Sequence, residues 1–190
     1  MDNDNNEIII REALPEEAKK IRDLIREAME YYRMSSGINS DVLESLTEST
    51  ESVKERIRRH HCLVATCNEI PVGTITVSYC DNPMKYSFSP QTARTLREYR
   101  DCAYISRFAV CEQFRDTGLG VTLMNEALRM PVSVRSGLVL LHTAVSNIKM
   151  RDFYANRGFI VLDSEDSRGY ERGLFAYIMS DQNGRDNLTA

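Results

Sequence analysis

The run CAYISRFAV (102–110) has strong β propensity, and FRDTGLG follows it just before the apolar, helix-patterned stretch VTLMNEAL. Glycine inside a helix costs about 1 kcal/mol relative to alanine, so Gly118 and Gly120 at a helix start answer a backbone requirement. The first N–H groups of a helix lack intrahelical partners, and the dipole at that end favours an anion. Glycine lets a ligand approach the main chain because no Cβ intervenes. Arg115 adds a permanent positive charge at the mouth. The segment is neither a Walker loop, for no GK[ST] follows, nor the three-glycine dinucleotide fingerprint. Taken alone, GLG reads better as a turn that re-aims the chain, since short glycine motifs recur by chance.

The chain has 190 residues and 42% hydrophobic content, enough for one domain over 1–180 with a polar tail at 181–190. A net charge of −4 with scattered basic residues gives no case for nucleic-acid binding. The polar, acidic MDNDNNE start is unlike a secretory signal, and no apolar run reaches membrane-span length. Cys62, Cys67, Cys80, Cys102 and Cys111 form no CxxC pair and lie mostly in strand-like runs. Reduced buried thiols are expected rather than disulfides or a metal site, and with them a cytoplasmic location.

EIIIREAL reads as a first strand. The apolar spacing of Ala18, Ile21, Leu24, Ile25, Ala28 and Met29 predicts a long helix, with Pro15 near its first position. Ser52 and Glu55 have capping-box spacing before a second helix, VKERIRRH. HCLVATCNE and IPVGTITVSYC predict an antiparallel pair, and Ser89–Pro90 predicts a short helix inside the insertion 81–101. The helix after the glycines should stop at Pro131. GLVLLHTAV is a buried-type strand, Asn147 and Gly158 bracket another helix, and FIVLD with GLFAYIM forms a closing hairpin. The order is β-α-α-β-β-β-α-β-α-β-β, an α/β mixed sheet with helices on its faces.

The stretch AVCEQFRDTGLGVTLMNEAL resembles the signature of the GCN5-related N-acetyltransferase (GNAT) superfamily, Q/R-x-x-G-x-G/A, with Arg115, Gly118 and Gly120 in its defined places. HTAVSNIKMRDFYANRGF resembles the second family motif, a strand, then Asn147, then Tyr154 seven residues on. The resemblance spans about residues 7–180 and implies a sheet that splays between strands 4 and 5. It implies that the CoA diphosphate rests on the backbone of Arg115, Asp116, Thr117, Gly118, Leu119, Gly120 and Val121. The pantetheine arm would pair with Phe108, Ala109 and Val110, and Asn147 and Tyr154 would complete the cofactor side. Acetyl-CoA is then the acyl donor, no metal is involved, and a small-molecule or peptide amine is the acceptor. Nucleic acid and membrane are not expected partners, and a homodimer is, since relatives often dimerise.

The same resemblance assigns direct amine attack on the thioester, with the Val110 amide stabilising the oxyanion and Tyr154 protonating the thiolate. Tyr154 can also be read as a packing residue between helix and sheet. The strand acids that many relatives use as base are missing: Ser106 and Arg107 stand on the fourth strand and His142 on the fifth. Imidazole suits base work near neutral pH, yet a lone histidine in VLLHTAV is equally a core residue, and water passing through Tyr104 is the other route. Asp116 replaces the glycine usual after the arginine, so its carboxylate should turn from the diphosphate and CoA should bind more weakly than average. YISRFAV is also similar to the E-x-S-R-F element of acyl-homoserine-lactone and long-chain N-acyl amino acid synthases, which makes longer-chain acyl transfer the alternative. A non-catalytic CoA-binding module is a third reading. In the insertion, Tyr86, Arg94, Arg97 and Tyr99 could line an acceptor site, against the plainer reading of a solvated flap.

Overall fold

A computed structural model describes residues 7–39 and 43–179. The N-terminal hexapeptide and the tail at 181–190 lie outside the described residues. The elements are β1 (Ile8–Glu12), α1 (Ala18–Ser36), α2 (Glu44–Thr47), α3 (Thr50–Arg59), β2 (His61–Cys67), β3 (Ile70–Cys80), α4 (Pro90–Leu96), β4 (Cys102–Val110), α5 (Leu119–Arg129), α6 (Pro131–Ser136), β5 (Leu138–Ala144), α7 (Ile148–Ala155), β6 (Ile160–Glu165) and β7 (Arg172–Ile178). The expected order is present, with the short helices α2, α4 and α6 added to it.

The sheet has seven strands in the order β1-β2-β3-β4-β5-β7-β6. Neighbours are antiparallel except β4 and β5, which pair in parallel only at Ala103–Val139 and Tyr104–Leu140. Beyond Tyr104 the two strands part, as the family resemblance implies. Helices α1 and α3 cover one face, packing Ile21, Ile25, Val53 and Ile57 on Cys62 and Val64. The other face carries Leu123, Met124 and Ala127 of α5 and Tyr154 of α7 against Ile75, Ile105, Leu141 and Phe175. Each sheet face is thus buried by a pair of amphipathic helices, the layer arrangement expected when strands alternate with helices.

Three boundaries differ from the sequence reading. The cap of α3 is Ser49, whose hydroxyl accepts from the Ser52 N–H at 3.1 Å, so the helix begins earlier than the Ser52–Glu55 spacing suggests. Pro131 ends α5 but also opens α6, where its fixed φ and missing N–H suit a first helical position. At its C-terminus α7 stops at Ala155 with Asn156 as the cap, so Gly158, with φ +83, lies in the turn beyond the helix rather than at its end. Two N-caps fall where predicted. Ser89 accepts from Thr92 N–H at the start of α4, and Asn147 accepts from Met150 N–H at the start of α7. The five cysteines are free thiols, with Cys62, Cys67, Cys80 and Cys102 buried.

The insertion 81–101 is not a solvated flap. Leu96 is fully buried with Leu138, Leu140, Leu174 and Ala176, and Tyr86, Phe88 and Tyr99 pack beside them. The Asp163 carboxylate on β6 accepts from the N–H groups of Phe88 and Ser89 and from the Ser89 hydroxyl, at 3.0, 2.8 and 2.9 Å. Those three donors hold the carboxyl below its usual range despite partial burial.

Candidate active site

A cleft of about 740 Å³ opens where β4 leaves β5. Its lining includes Phe108, Ala109, Val110, Arg115, Asp116, Gly118, Gly120, Val121, His142, Asn147 and Tyr154, eleven of the residues expected from sequence. Of the others, Leu119 is buried in the core, and the Thr117 hydroxyl donates to the Phe114 carbonyl at 2.8 Å.

Gly118 is the cap of α5 with φ +92, a conformation that L side chains rarely adopt, and no side chain caps the helix. The first-turn N–H groups are therefore left open toward the cleft. A Cβ on Gly120 would meet Phe108 Cζ at 3.2 Å, so the second glycine permits a close helix–strand approach. Arg115 stacks over the Tyr31 ring at 4.0 Å and donates from Nε to the Val110 carbonyl at 3.3 Å. Asp116 has φ +62, and its carboxylate is held by Lys149 Nζ at 2.8 Å. Both partners of this pair line the cleft.

The departing strand carries a bulge. Thr74 pairs with Ala109 and Thr76 with Ser106, so Arg107 and Phe108 together face Ile75, and Arg107 takes φ +50. At the strand end Cys111 N–H donates to the Val72 carbonyl at 2.9 Å. Peptide groups alternate along a strand, so the Val110 amide faces the opposite edge, the one β5 has left.

On β5, His142 is engaged through both ring nitrogens. Nε2 is 3.2 Å from the Tyr86 carbonyl, which can only accept, so Nε2 carries the proton and Nδ1 accepts from the Tyr104 hydroxyl at 2.8 Å. Burial, with Arg172 nearby, pushes the imidazole down to about 4, and burial pushes the Tyr104 phenol up to about 12. Both are neutral at pH 7. Tyr86 stacks on Tyr104 with centroids 4.2 Å apart. The insertion therefore backs the cleft without lining it: of its four expected lining residues none reaches the cleft surface, and Tyr86 supports the Tyr104–His142 pair from behind. Arg94, Arg97 and Tyr99 do not line the cleft.

Tyr154 is 5% exposed, with its ring against Phe153, Phe159 and Phe175. Its hydroxyl makes no hydrogen bond to the described residues, and burial raises its pKa strongly. Asn147 is committed to structure: its oxygen caps α7, and its amide donates to Ser36 and Ser35 hydroxyls at 2.8 and 3.3 Å, tying α7 to the end of α1.

Residues that sequence reasoning missed come from distant elements. Tyr31, Tyr32 and Ser35 of α1, Leu43 and Ser45 before α3, and Tyr170 of the β6–β7 turn complete the lining. Tyr32 was hidden within an apolar-looking helix face; its hydroxyl accepts from Ala144 N–H at 2.5 Å. Arg107 Nε donates to Glu48 at 3.2 Å, and Arg56 Nη1 and Nη2 also hold Glu48, at 2.8–2.9 Å.

No helix among the described residues is long and apolar enough to cross a membrane. No curated protein matches this chain. Among solved structures it is similar to the PaiA N-acetyltransferase of Thermoplasma acidophilum in complex with coenzyme A, at 20% identity and TM-score 0.69, covering 90% of this chain and 99% of that one. A GNAT-family acetyltransferase from Streptococcus agalactiae gives 16% identity, TM-score 0.69 and coverage of 91% and 96%. Ard1 of Thermoplasma volcanium gives 23% identity, TM-score 0.60 and coverage of 92% and 99%. At such identities the likeness establishes the fold. The model of the acetyltransferase (GNAT) family matches residues 21–159, and the chain belongs to that family of acetyltransferases.

Proposed function

We propose that the chain transfers the acetyl group of acetyl-CoA to a primary amine by direct attack within a ternary complex. The observation that carries this reading is the uncapped N-terminus of α5 beside the unpaired edge of β4, both facing one cleft. Amides of the Gly118–Val121 turn suit a diphosphate, and Arg115 adds positive charge at that end, where Lys149 balances the Asp116 carboxylate. The free edge from Phe108 to Val110 suits an extended amide-bearing arm, which would add to β4 as a strand does. The PaiA structure with its coenzyme A supports the same placement by analogy of fold.

Acetyl-CoA supplies an activated thioester. The Val110 N–H stabilises negative charge on the acyl oxygen, a donor worth about 3 kcal/mol of barrier in comparable sites. Tyr154, whose hydroxyl makes no hydrogen bond to the described residues, gives its proton to the departing sulfur and recovers one from water. The amine's proton passes to the Tyr104 oxygen as the Tyr104 proton moves to His142 Nδ1, and Tyr86 accepts from the resulting imidazolium at Nε2. A pKa of about 4 makes that imidazolium short-lived, so the proton moves on to water. Five free thiols agree with work in the reducing cytoplasm.

Calorimetry with acetyl-CoA and CoA, followed by thiol release across a panel of amines, tests this reading. Saturable binding with amine-dependent thiol release is the expected result. No heat with any coenzyme A species would overturn it. Preference for long-chain donors would favour the acyl-chain alternative, and tight binding without turnover the non-catalytic one.

A further inference from the structure

Glu48 is shared by two guanidinium groups in a mostly enclosed cluster. Its side chain is 9% exposed, that of Arg56 11% and that of Arg107 26%. Arg56 takes most of the carboxylate, with three contacts of 2.8–2.9 Å, and Arg107 reaches it only through Nε. One carboxylate against two guanidinium groups leaves a surplus positive charge. A surplus charge withdrawn from water is costly unless an anion joins it.

The unspent part of that charge faces the cleft. Arg107 lines it, and the terminal amino groups of Arg107 make no hydrogen bond to the described residues. A planar guanidinium with a free donor edge is matched in geometry to a carboxylate. The bulge fixes Arg107 at φ +50, a strained conformation for a side-chain-bearing residue and one that recurs where function demands it. Among the described lining residues, Asp116 is the one carboxylate, and Lys149 already holds it at the opposite, diphosphate end. A polycationic acceptor would find no other carboxylate among the described lining residues.

We infer that the acceptor is a small amino acid, and that the free guanidinium edge of Arg107, held on Glu48 beside the splayed strand, reads its carboxylate. This rests on the acetyl-transfer reading above. Arg107 lies three residues from Val110, at most about 11 Å of extended chain. Both residues line the one cleft, so a single small acceptor can present its carboxylate at Arg107 and its amine toward Val110. Ser45, Ser106 and Tyr170 also line the cleft and carry no charge.

The test uses thiol release by the full chain with acetyl-CoA and, as acceptors, the free amino acids, their α-amides, cadaverine and spermidine. At least one amino acid should be acetylated with kcat/KM about tenfold or more above its own amide, because a site built to bind a group rejects analogues lacking it. The diamines should be poorest. Arg107→Gln should raise the acceptor KM about tenfold with little change in kcat, and Arg107→Lys should fall between, while the acetyl-CoA dissociation constant stays constant. Equal use of acids and amides, preference for the diamines, or acetyl-CoA binding with no amino acid accepted would overturn the inference. The acid–amide comparison needs only the unmodified chain, so a poorly folded variant does not blunt it. Absence of acetyl-CoA binding would instead refute the acetyl-transfer reading itself, and calorimetry separates that failure from the others.

Discussion

His142 is held in its neutral form, and that should be measurable as a pH-dependent share of the folding free energy. In the native chain, burial and Arg172 lower its pKa to about 4 from an ordinary 6.5. The unfolded chain therefore binds a proton below pH 6.5 that the native chain refuses until about pH 4. Stability is complete above 6.5 and declines as pH falls through that window. Each tenfold difference in proton affinity is worth about 1.4 kcal/mol, so the loss is about 2 kcal/mol at pH 5 and about 3 kcal/mol below pH 4. Urea denaturation at pH 7 and pH 5, on the parent and on His142→Gln, isolates this contribution because the other titrating groups are shared. The parent should lose about 2 kcal/mol more than the variant over that interval. NMR titration of the ring should show no transition near pH 6.5. Parallel stability curves for the two proteins, or an imidazole titrating at its ordinary pH, would refute the reasoning and release His142 from its Tyr104–Tyr86 hydrogen bonds.

Tyr154→Phe should lower kcat about a hundredfold while leaving the acetyl-CoA dissociation constant and the stability nearly unchanged, because its hydroxyl has no hydrogen-bond partner among the described residues; steady-state kinetics and calorimetry check both halves. Gly118→Ala should cost about 1–2 kcal/mol in urea denaturation through backbone strain alone, since φ is +92 and an added Cβ meets nothing within 4 Å. Asp116→Gly should stabilise by about 1 kcal/mol by relieving φ +62, with little lost from the exposed Lys149 pair. It should also tighten acetyl-CoA binding in calorimetry, and unchanged affinity would show that Lys149 already neutralises the carboxylate.

What sequence could reveal followed the range of the interactions involved. Gly118, Asn147 and Ser89 act within a turn or so of themselves, so their capping and turn roles were readable from spacing. The splay between β4 and β5 came from the family resemblance. The cap of α3 shifted to Ser49 because several hydroxyl residues stand in a row there, and spacing cannot choose among them. Pro131 reads as a stop in any local scheme, although it can equally begin the next helix. The Arg107 bulge has no local signature: its neighbours are ordinary β formers, and its partner Glu48 is 59 residues away in sequence. The cleft's second wall, from Tyr32 to Tyr170, depends on how whole helices and turns meet over the sheet. Composition along one segment carries no record of that.

On the proton route proposed above, the Asp163 anchor makes the rim of the protein part of the reaction centre. One carboxylate on the outermost strand fixes Phe88 and Ser89, the turn before them sets the Tyr86 carbonyl and ring, and these orient the imidazole and phenol where protons are exchanged. Anyone redesigning acceptor choice should therefore treat β6 and the segment 81–101 as components of the catalyst. Substitutions there would misalign the proton route while every residue touching the ligand stayed the same.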